Sequence, residues 1–357
     1  MKLGPVLIGI EGTVLDSKAR TQLSHPAVGG VVLFSRNCEN RSQVTDLCAA
    51  IGEIRSPRLL ICVDQEGGRI QRLREGFTPL PPLGLLGQMY HNEPQRAVDM
   101  AYRHARVMAG EVLTCGIDLS FAPVLDLDRG STVIGDRSLS ASPEIVLSLG
   151  RHYLAGMHDA GMKSTGKHFP GHGSVSADSH THDVADFRPL AELEAADLVP
   201  FIRLAADLDS LMVAHVLYPA MDDTPAGYSR KWLLDYLRGS CGYAGVILSD
   251  DLGMHAAHVA GDLHARTRCC LQAGCDLVLV CQPEDVEELL RHEECDWPDT
   301  SQAIASLYGN PPFSYEELRI AKSQGVGEWN HWQQSLSRLS KTLAACGEGG
   351  DSKNALE

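Results

Sequence analysis

Ser142-Pro-Glu-Ile-Val-Leu-Ser-Leu-Gly-Arg-His-Tyr-Leu-Ala-Gly-Met-His-Asp-Ala-Gly161-Met-Lys-Ser-Thr-Gly-Lys167 contains a helix, its stop and the strand that follows. Ser142 and Pro143 supply an N-cap and a first-turn proline. Ile145, Leu149, Tyr153 and Met157 then recur every four residues, as one buried helix face requires. Gly161 predicts the stop, and a short strand is expected around Lys163 to Thr165. The stretch before it has the same ingredients. Ala97, Ala101, Ala105, Met108 and Val112 repeat at helical spacing, ahead of a weaker strand at Asp118 to Ala122 that ends at Pro123.

Similar apolar, β-branched runs occur at Val6 to Ile10, Val31 to Phe34, Leu59 to Val63, Leu211 to Val213, Val246 to Leu248 and Leu277 to Val280. Nearly unbroken apolar strands alternating with helices predict a parallel sheet covered on its outer face. Eight such runs predict an α/β fold, a single-domain (β/α)8 barrel. A doubly wound open sheet is the alternative, but no G-x-G-x-x-G follows the first strand. Beyond Cys281 the pattern is helical. Ser314-Tyr-Glu-Glu317 resembles a capping box, and Trp329, Trp332, Leu336, Leu339 and Leu343 form a stripe expected to pack on the barrel. The expected organisation is a catalytic barrel over 1–295, C-terminal helices over 296–346 and a disordered tail over 347–357.

Composition narrows the function. A formal charge of −15 argues against nucleic acid, because a phosphate-tracking surface needs clustered Lys and Arg. No long apolar run or leader is visible, so neither a membrane span nor export is expected. The 11 cysteines are scattered without C-x-x-C spacing, which fits reduced thiols in a cytoplasm.

Chemistry is expected just after the strands, where barrels of this kind form their active sites. Asp64 follows the third strand, with Arg69, Arg72 and Arg74 close behind. Asp126 follows the fourth and Arg137 lies in the next loop. Lys167 and His168 follow the fifth, His215 the sixth, and Asp250 and Asp251 the seventh. Carboxylates and guanidinium groups in such a set can grip sugar hydroxyls. Glycoside hydrolysis then needs a nucleophile or base and a proton donor, and Asp250 is a candidate nucleophile. The loop after the fifth strand offers His180 as donor. Asp178 stands two positions before it, on the same side if the segment is extended. A carboxylate so placed would lift the imidazole from about 6.5 towards neutrality. The bland alternative is a solvated loop histidine beside a turn-forming aspartate.

Lys167-His-Phe-Pro-Gly-His-Gly173, followed by Ala177-Asp-Ser-His180, resembles the signature of the bacterial β-N-acetylhexosaminidases of glycoside hydrolase family 3. Gly29-Gly-Val-Val-Leu-Phe-Ser-Arg-Asn37, Val63-Asp-Gln-Glu-Gly-Gly68, Phe121-Ala-Pro-Val-Leu-Asp126, Ser249-Asp-Asp-Leu252 and Ala273-Gly-Cys-Asp276 resemble it too. The resemblance runs from about Val6 to Cys281. It implies a retaining exo-hydrolase that removes terminal β-linked N-acetylglucosamine, in peptidoglycan recycling, from fragments carrying 1,6-anhydro-N-acetylmuramic acid with or without peptide. It implies Asp250 as nucleophile and His180 as acid/base oriented by Asp178. Asp64, Arg72, Arg137, Lys167 and His168 would hold the sugar. Asp251 is expected to be structural, and Glu11 has no assigned role. The chain stops soon after the barrel, so the donor is expected on a barrel loop rather than on an added domain. No metal or cofactor is expected, nor any partner beyond the small carbohydrate or muropeptide, and the protein is expected to be a cytoplasmic monomer.

Two other classes remain open to the residues alone. A metal-dependent hydrolase could arrange His168, His172, His180, His182, His215 and Asp250 around zinc. A non-catalytic sugar binder could keep the pocket, although it would not need Asp178, His180 and Asp250.

Overall fold

The computed structural model describes residues 2–175, 184–291, 297–314, 316–318 and 328–347, the last with side chains as far as 341. Eight parallel strands make one sheet: β1 (Val6–Gly9), β2 (Val28–Leu33), β3 (Leu60–Val63), β4 (Leu119–Ser120), β5 (Thr165–Phe169), β6 (Ser210–Val213), β7 (Val246–Asp251) and β8 (Leu277–Val280). Sequential strands pair in order, and β1 also pairs with β8. The remaining seam lies between β4 and β5. It closes just beyond β4, through a parallel bridge from Val124 to Lys167. Backbone bonds from Thr165 N to Ala122 O (2.8 Å), Lys167 N to Pro123 O (3.2 Å) and Leu125 N to Lys167 O (2.7 Å) complete it. The weak fourth run of the sequence is therefore a true barrel strand whose pairing continues through its proline.

The aliphatic runs are buried because helices cover the outside and side chains fill the inside. The helix predicted from the alanine repeat spans Pro94–Leu113, and that predicted from Ser142-Pro143 spans Pro143–Asp159. Ser142 stands at the N-cap position but its side chain makes no capping bond. The two helices approach closely at Gly156, where a Cβ would lie 2.3 Å from the Tyr102 carbonyl oxygen. Glycines also serve β2, where a Cβ on Gly30 would meet the Leu60 carbonyl oxygen at 2.5 Å.

Two strands end later than the apolar pattern indicates. β5 begins at Thr165 and runs through Lys167 and His168, and β7 runs through Asp250 and Asp251. These residues are strand-terminal and do not sit in following loops. Charged side chains are tolerated there because partners from neighbouring strand ends meet them.

The opposite end of the barrel is held by repeated clasps. Asp118, Asp209 and Asp276 each stand just before an even-numbered strand, and each accepts a backbone N–H at the start of the preceding odd-numbered one. The donors are Ile61 N (3.0 Å), Ser164 N (2.9 Å) and Ile247 N (2.8 Å). Each carboxylate also has a cation: Arg58 on Asp118, Lys163 on Asp209 and Arg238 on Asp276. Charge-assisted bonds of this kind are among the stronger ones, and they fix register where the strands begin.

In the C-terminal region Ser314 and Glu317 form the expected reciprocal capping box. The helix Glu328–Gly347 lays Trp332 edge-on against Tyr102 and Trp329 against Phe313, with Leu336 fully buried. The Leu343 side chain lies outside those described. Gln333 donates to the buried Glu111 carboxylate at 2.6 Å.

Asp118→Ala removes a carboxylate shared by Arg58, Ile61 N and Gly309 N. It is expected to cost about 2–4 kcal/mol in urea unfolding. A variant within about 0.5 kcal/mol of the wild type would show that the clasp contributes little.

Candidate active site

At the strand C-terminal ends the barrel gathers its charges. Asp64 follows β3, and a short hairpin, Gln65–Gly67 with Ile70–Gln71, then places Glu66 and Arg72. Lys167 Nζ donates to Asp64 Oδ1 at 2.7 Å and to Glu66 Oε1 at 2.6 Å. Arg137 grips the same Glu66 with two bonds, Nη2 to Oε1 at 2.8 Å and Nε to Oε2 at 2.9 Å. Arg72 approaches Asp64 Oδ2 at 3.8 Å and lies over the Phe34 ring. Asp64, Arg72, Arg137 and Lys167, chosen from sequence as sugar-holding candidates, thus form one chain of alternating charge.

Glu66 was not among those candidates, and it is the hub of that chain. Its signal was present in Asp64-Gln-Glu66, where alternate residues of an extended segment share a side. Burial would raise the Glu66 carboxyl, but the charges of Arg137 and Lys167 outweigh it and hold the group well below the usual carboxylate range. Burial would likewise lower the Lys167 ammonium, and Asp64 and Glu66 reverse this and raise it.

His168 belongs to a second constellation. Asp126, fully buried, accepts His168 N at 3.1 Å, His168 Nδ1 at 2.7 Å and His172 N at 2.6 Å. Burial alone would raise the Asp126 carboxyl, but the His168 ring and the donors around it lower it. Fixing Nδ1 on a carboxylate leaves His168 Nε2 as the ring atom available to a ligand.

Asp250 stands on β7. Its Oδ1 accepts Asp251 N at 2.8 Å, and the His215 ring lies 3.2 Å from its carbonyl oxygen through Nε2. His215 is buried, and burial lowers its imidazole. Cys281, at the end of β8, feels the charges of Asp251, Asp64 and Asp250. Asp250, at the end of β7, and the Asp64–Lys167–Glu66–Arg137 chain therefore lie on the same rim of the barrel. Asp251 differs from Asp250: its Oδ1 accepts Gly253 N at 3.1 Å and Cys281 N at 3.0 Å, tying β7 to β8.

Asp178, His180 and His182 lie outside the described residues. The chain on either side is tied together, since Ser174 donates to Asp186 and Arg188 joins Asp186 to the buried Asp197. Among the described residues no group of three metal-ligating side chains is gathered. No helix there is long and apolar enough to cross a membrane.

The chain resembles known proteins over most of its length. Residues 7–296 match the glycosyl hydrolase family 3 N-terminal domain. A β-hexosaminidase of Alkalilimnicola ehrlichii is 52% identical over 342 residues, covering 95% of this chain and 96% of that protein. The crystal structure of native NagZ from Neisseria gonorrhoeae superposes with a TM-score of 0.87 at 41% identity, covering 95% of this chain and 98% of that one. NagZ from the same organism in complex with N-trifluoroacetyl-D-glucosamine also has a TM-score of 0.87, at 41% identity and with 95% and 99% coverage.

Asp251 supplies a pH test. Burial, aided by the charges of Asp250 and Asp285 and opposed by the Gly253 and Cys281 N–H groups, raises its carboxyl from 3.8 to about 6. The folded state therefore holds a proton that the unfolded chain has released. Stability from this group is complete below about pH 4 and is lost as pH rises through about 6. Asp251→Asn keeps an acceptor for both N–H groups. Because Asp251 is partly exposed, the effect is discounted: the stability loss between pH 4 and 7 should shrink by on the order of 1–2 kcal/mol in the variant. Equal pH slopes for both proteins in urea unfolding would refute it.

Proposed function

The chain belongs to glycosyl hydrolase family 3 and is a glycoside hydrolase, and from that membership we propose a retaining exo-β-N-acetylglucosaminidase. Its substrates are peptidoglycan turnover fragments in which N-acetylglucosamine is linked to 1,6-anhydro-N-acetylmuramic acid, with or without peptide. The observation that supports this most is the hydrogen-bonded Asp64–Lys167–Glu66–Arg137 chain at the strand ends, on the same rim of the barrel as Asp250 at the end of β7. One arm can hold sugar hydroxyls while the other attacks.

In the proposed reaction, Arg72, Asp64, Lys167, Arg137 and His168 Nε2 hold the terminal sugar. Asp250 attacks the anomeric carbon, and the glycosidic oxygen leaves with a proton. A glycosyl-aspartate results. Water then displaces the aspartate after losing its proton to the group that first donated one, and the configuration is retained. His180 is the proposed donor and acceptor, with Asp178 orienting its ring. Lys167 and Arg137 contribute positive charge, and Asp64 and Glu66 keep those cations apart and fixed. The same proposal takes the protein as a cytoplasmic monomer with no cofactor or metal, using a barrel over 1–295 and appended helices over 296–346.

Three measurements test it. Among p-nitrophenyl β-glycosides, the N-acetylglucosaminide is expected to be hydrolysed fastest, ahead of the glucoside, xyloside and N-acetylgalactosaminide. Preference for a sugar without the acetamido group would refute the substrate assignment. Asp250→Ala is expected to lower kcat by about a thousand-fold or more while the protein still folds and binds sugar. A near-normal rate would move the nucleophile elsewhere. His180→Ala is expected to harm cleavage of the disaccharide far more than that of the activated aryl glycoside, and equal losses would count against proton donation.

A further inference from the structure

Glu66 is the one carboxylate of the sugar-holding chain that a ligand cannot reach. It is 2% exposed, whereas the Asp64 and Arg72 side chains are 20% and 25% exposed. Every partner it has in the described structure belongs to the site: Oε1 receives both Lys167 Nζ and Arg137 Nη2, and Oε2 receives Arg137 Nε. Without this carboxylate two buried cations would stand side by side, repelling each other, with only Asp64 to share.

We propose that Glu66 is a positioning residue for sugar binding, holding the Lys167 ammonium and the Arg137 guanidinium at a fixed spacing beside Asp64. The inference rests on the sugar-binding reading above and adds a residue that does not touch sugar. A fork of two guanidinium bonds fixes Arg137 in plane. The third bond draws Lys167 to one side, so that its remaining donors are aimed at Asp64 and at the ligand. Glutamine cannot replace this. With its amide oxygen in the Oε1 position it could still accept from both cations, but its NH2 would then point a donor at Arg137 Nε, and the negative charge between the cations would be lost.

The charged groups around Lys167 come from several elements. Asp64 and Glu66 follow β3, Arg72 closes the hairpin, and Arg137 comes from the loop after β4. Asp126 and His168 lie at the ends of β4 and β5. The Tyr153 hydroxyl, buried on the helix Pro143–Asp159, is raised by burial and by the charge of Glu66. Among the described residues, Asp64 and Glu66 are the carboxylates in contact with the ammonium.

The test measures N-acetylglucosamine binding by calorimetry as a function of pH, for the wild type, Glu66→Gln and Glu66→Asp. Glu66→Gln is expected to weaken binding about ten-fold or more at neutral pH. It should also move the alkaline loss of binding down by about one pH unit or more, because Lys167 loses one of its two carboxylates. Glu66→Asp keeps the charge and should restore the alkaline limb. A merely structural role would lower stability and leave the pH profile in place. If Glu66→Gln does not fold, Glu66→Asp decides: its shorter carboxylate is expected to weaken binding about three-fold or more while leaving the alkaline limb in place, and wild-type affinity in it overturns the inference. An unmoved alkaline limb in folded Glu66→Gln overturns it as well. Failure of the wild type to bind the sugar would instead overturn the function on which it rests, and the inference with it.

Discussion

A parallel barrel buries its strands on both faces, so charge can enter only where the strands begin and end. This constraint shapes the whole molecule. At the strand starts Asp118, Asp209 and Asp276 clasp neighbouring strands in pairs. At the strand ends Asp64, Asp126, Lys167, His168, Asp250 and Asp251 stand around one rim. The first set holds register where the strands begin, and at the other end Asp126 and Asp251 also bind backbone N–H groups while Lys167 joins Asp64 to Glu66. The seam between β4 and β5 brings the halves of the site together. There Leu125 and Lys167 pair by backbone, which places Asp126 beside His168.

Charges at the mouth are costly to bury unless each has a partner of opposite sign and good geometry. The Arg72–Asp64–Lys167–Glu66–Arg137 chain meets that condition by alternation. Its members are consequently held before any ligand arrives, so that a ligand entering there would meet preset donors and acceptors rather than groups that must first be collected. The adjacent aspartates of β7 are divided by the same logic. Asp251 binds two backbone N–H groups and joins β7 to β8, while the Asp250 carboxylate accepts the Asp251 N–H at the strand end.

Helical spacing and apolar runs located the barrel, including the helices Pro94–Leu113 and Pro143–Asp159, because burial on one face imposes a period that a linear reading detects. Strand ends were less legible. β5 and β7 extend through Lys167, His168, Asp250 and Asp251, residues whose polarity suggests loops. Their backbone pairing and distant partners outweigh local preference. Glu66 was missed for a related reason: a glutamate in a glycine-rich turn looks like a solvated one.

The chain's own sequence determined the fold class and the residue types available at each strand end, since both follow from local pattern. The motif run likewise identified the family. Only the tertiary structure decided which charges meet. Lys167 and Asp64 lie 103 positions apart, and Arg137 and Glu66 lie 71 apart. No local rule pairs residues at such separations. Barrel closure does so, by setting every strand end beside its neighbours around one ring.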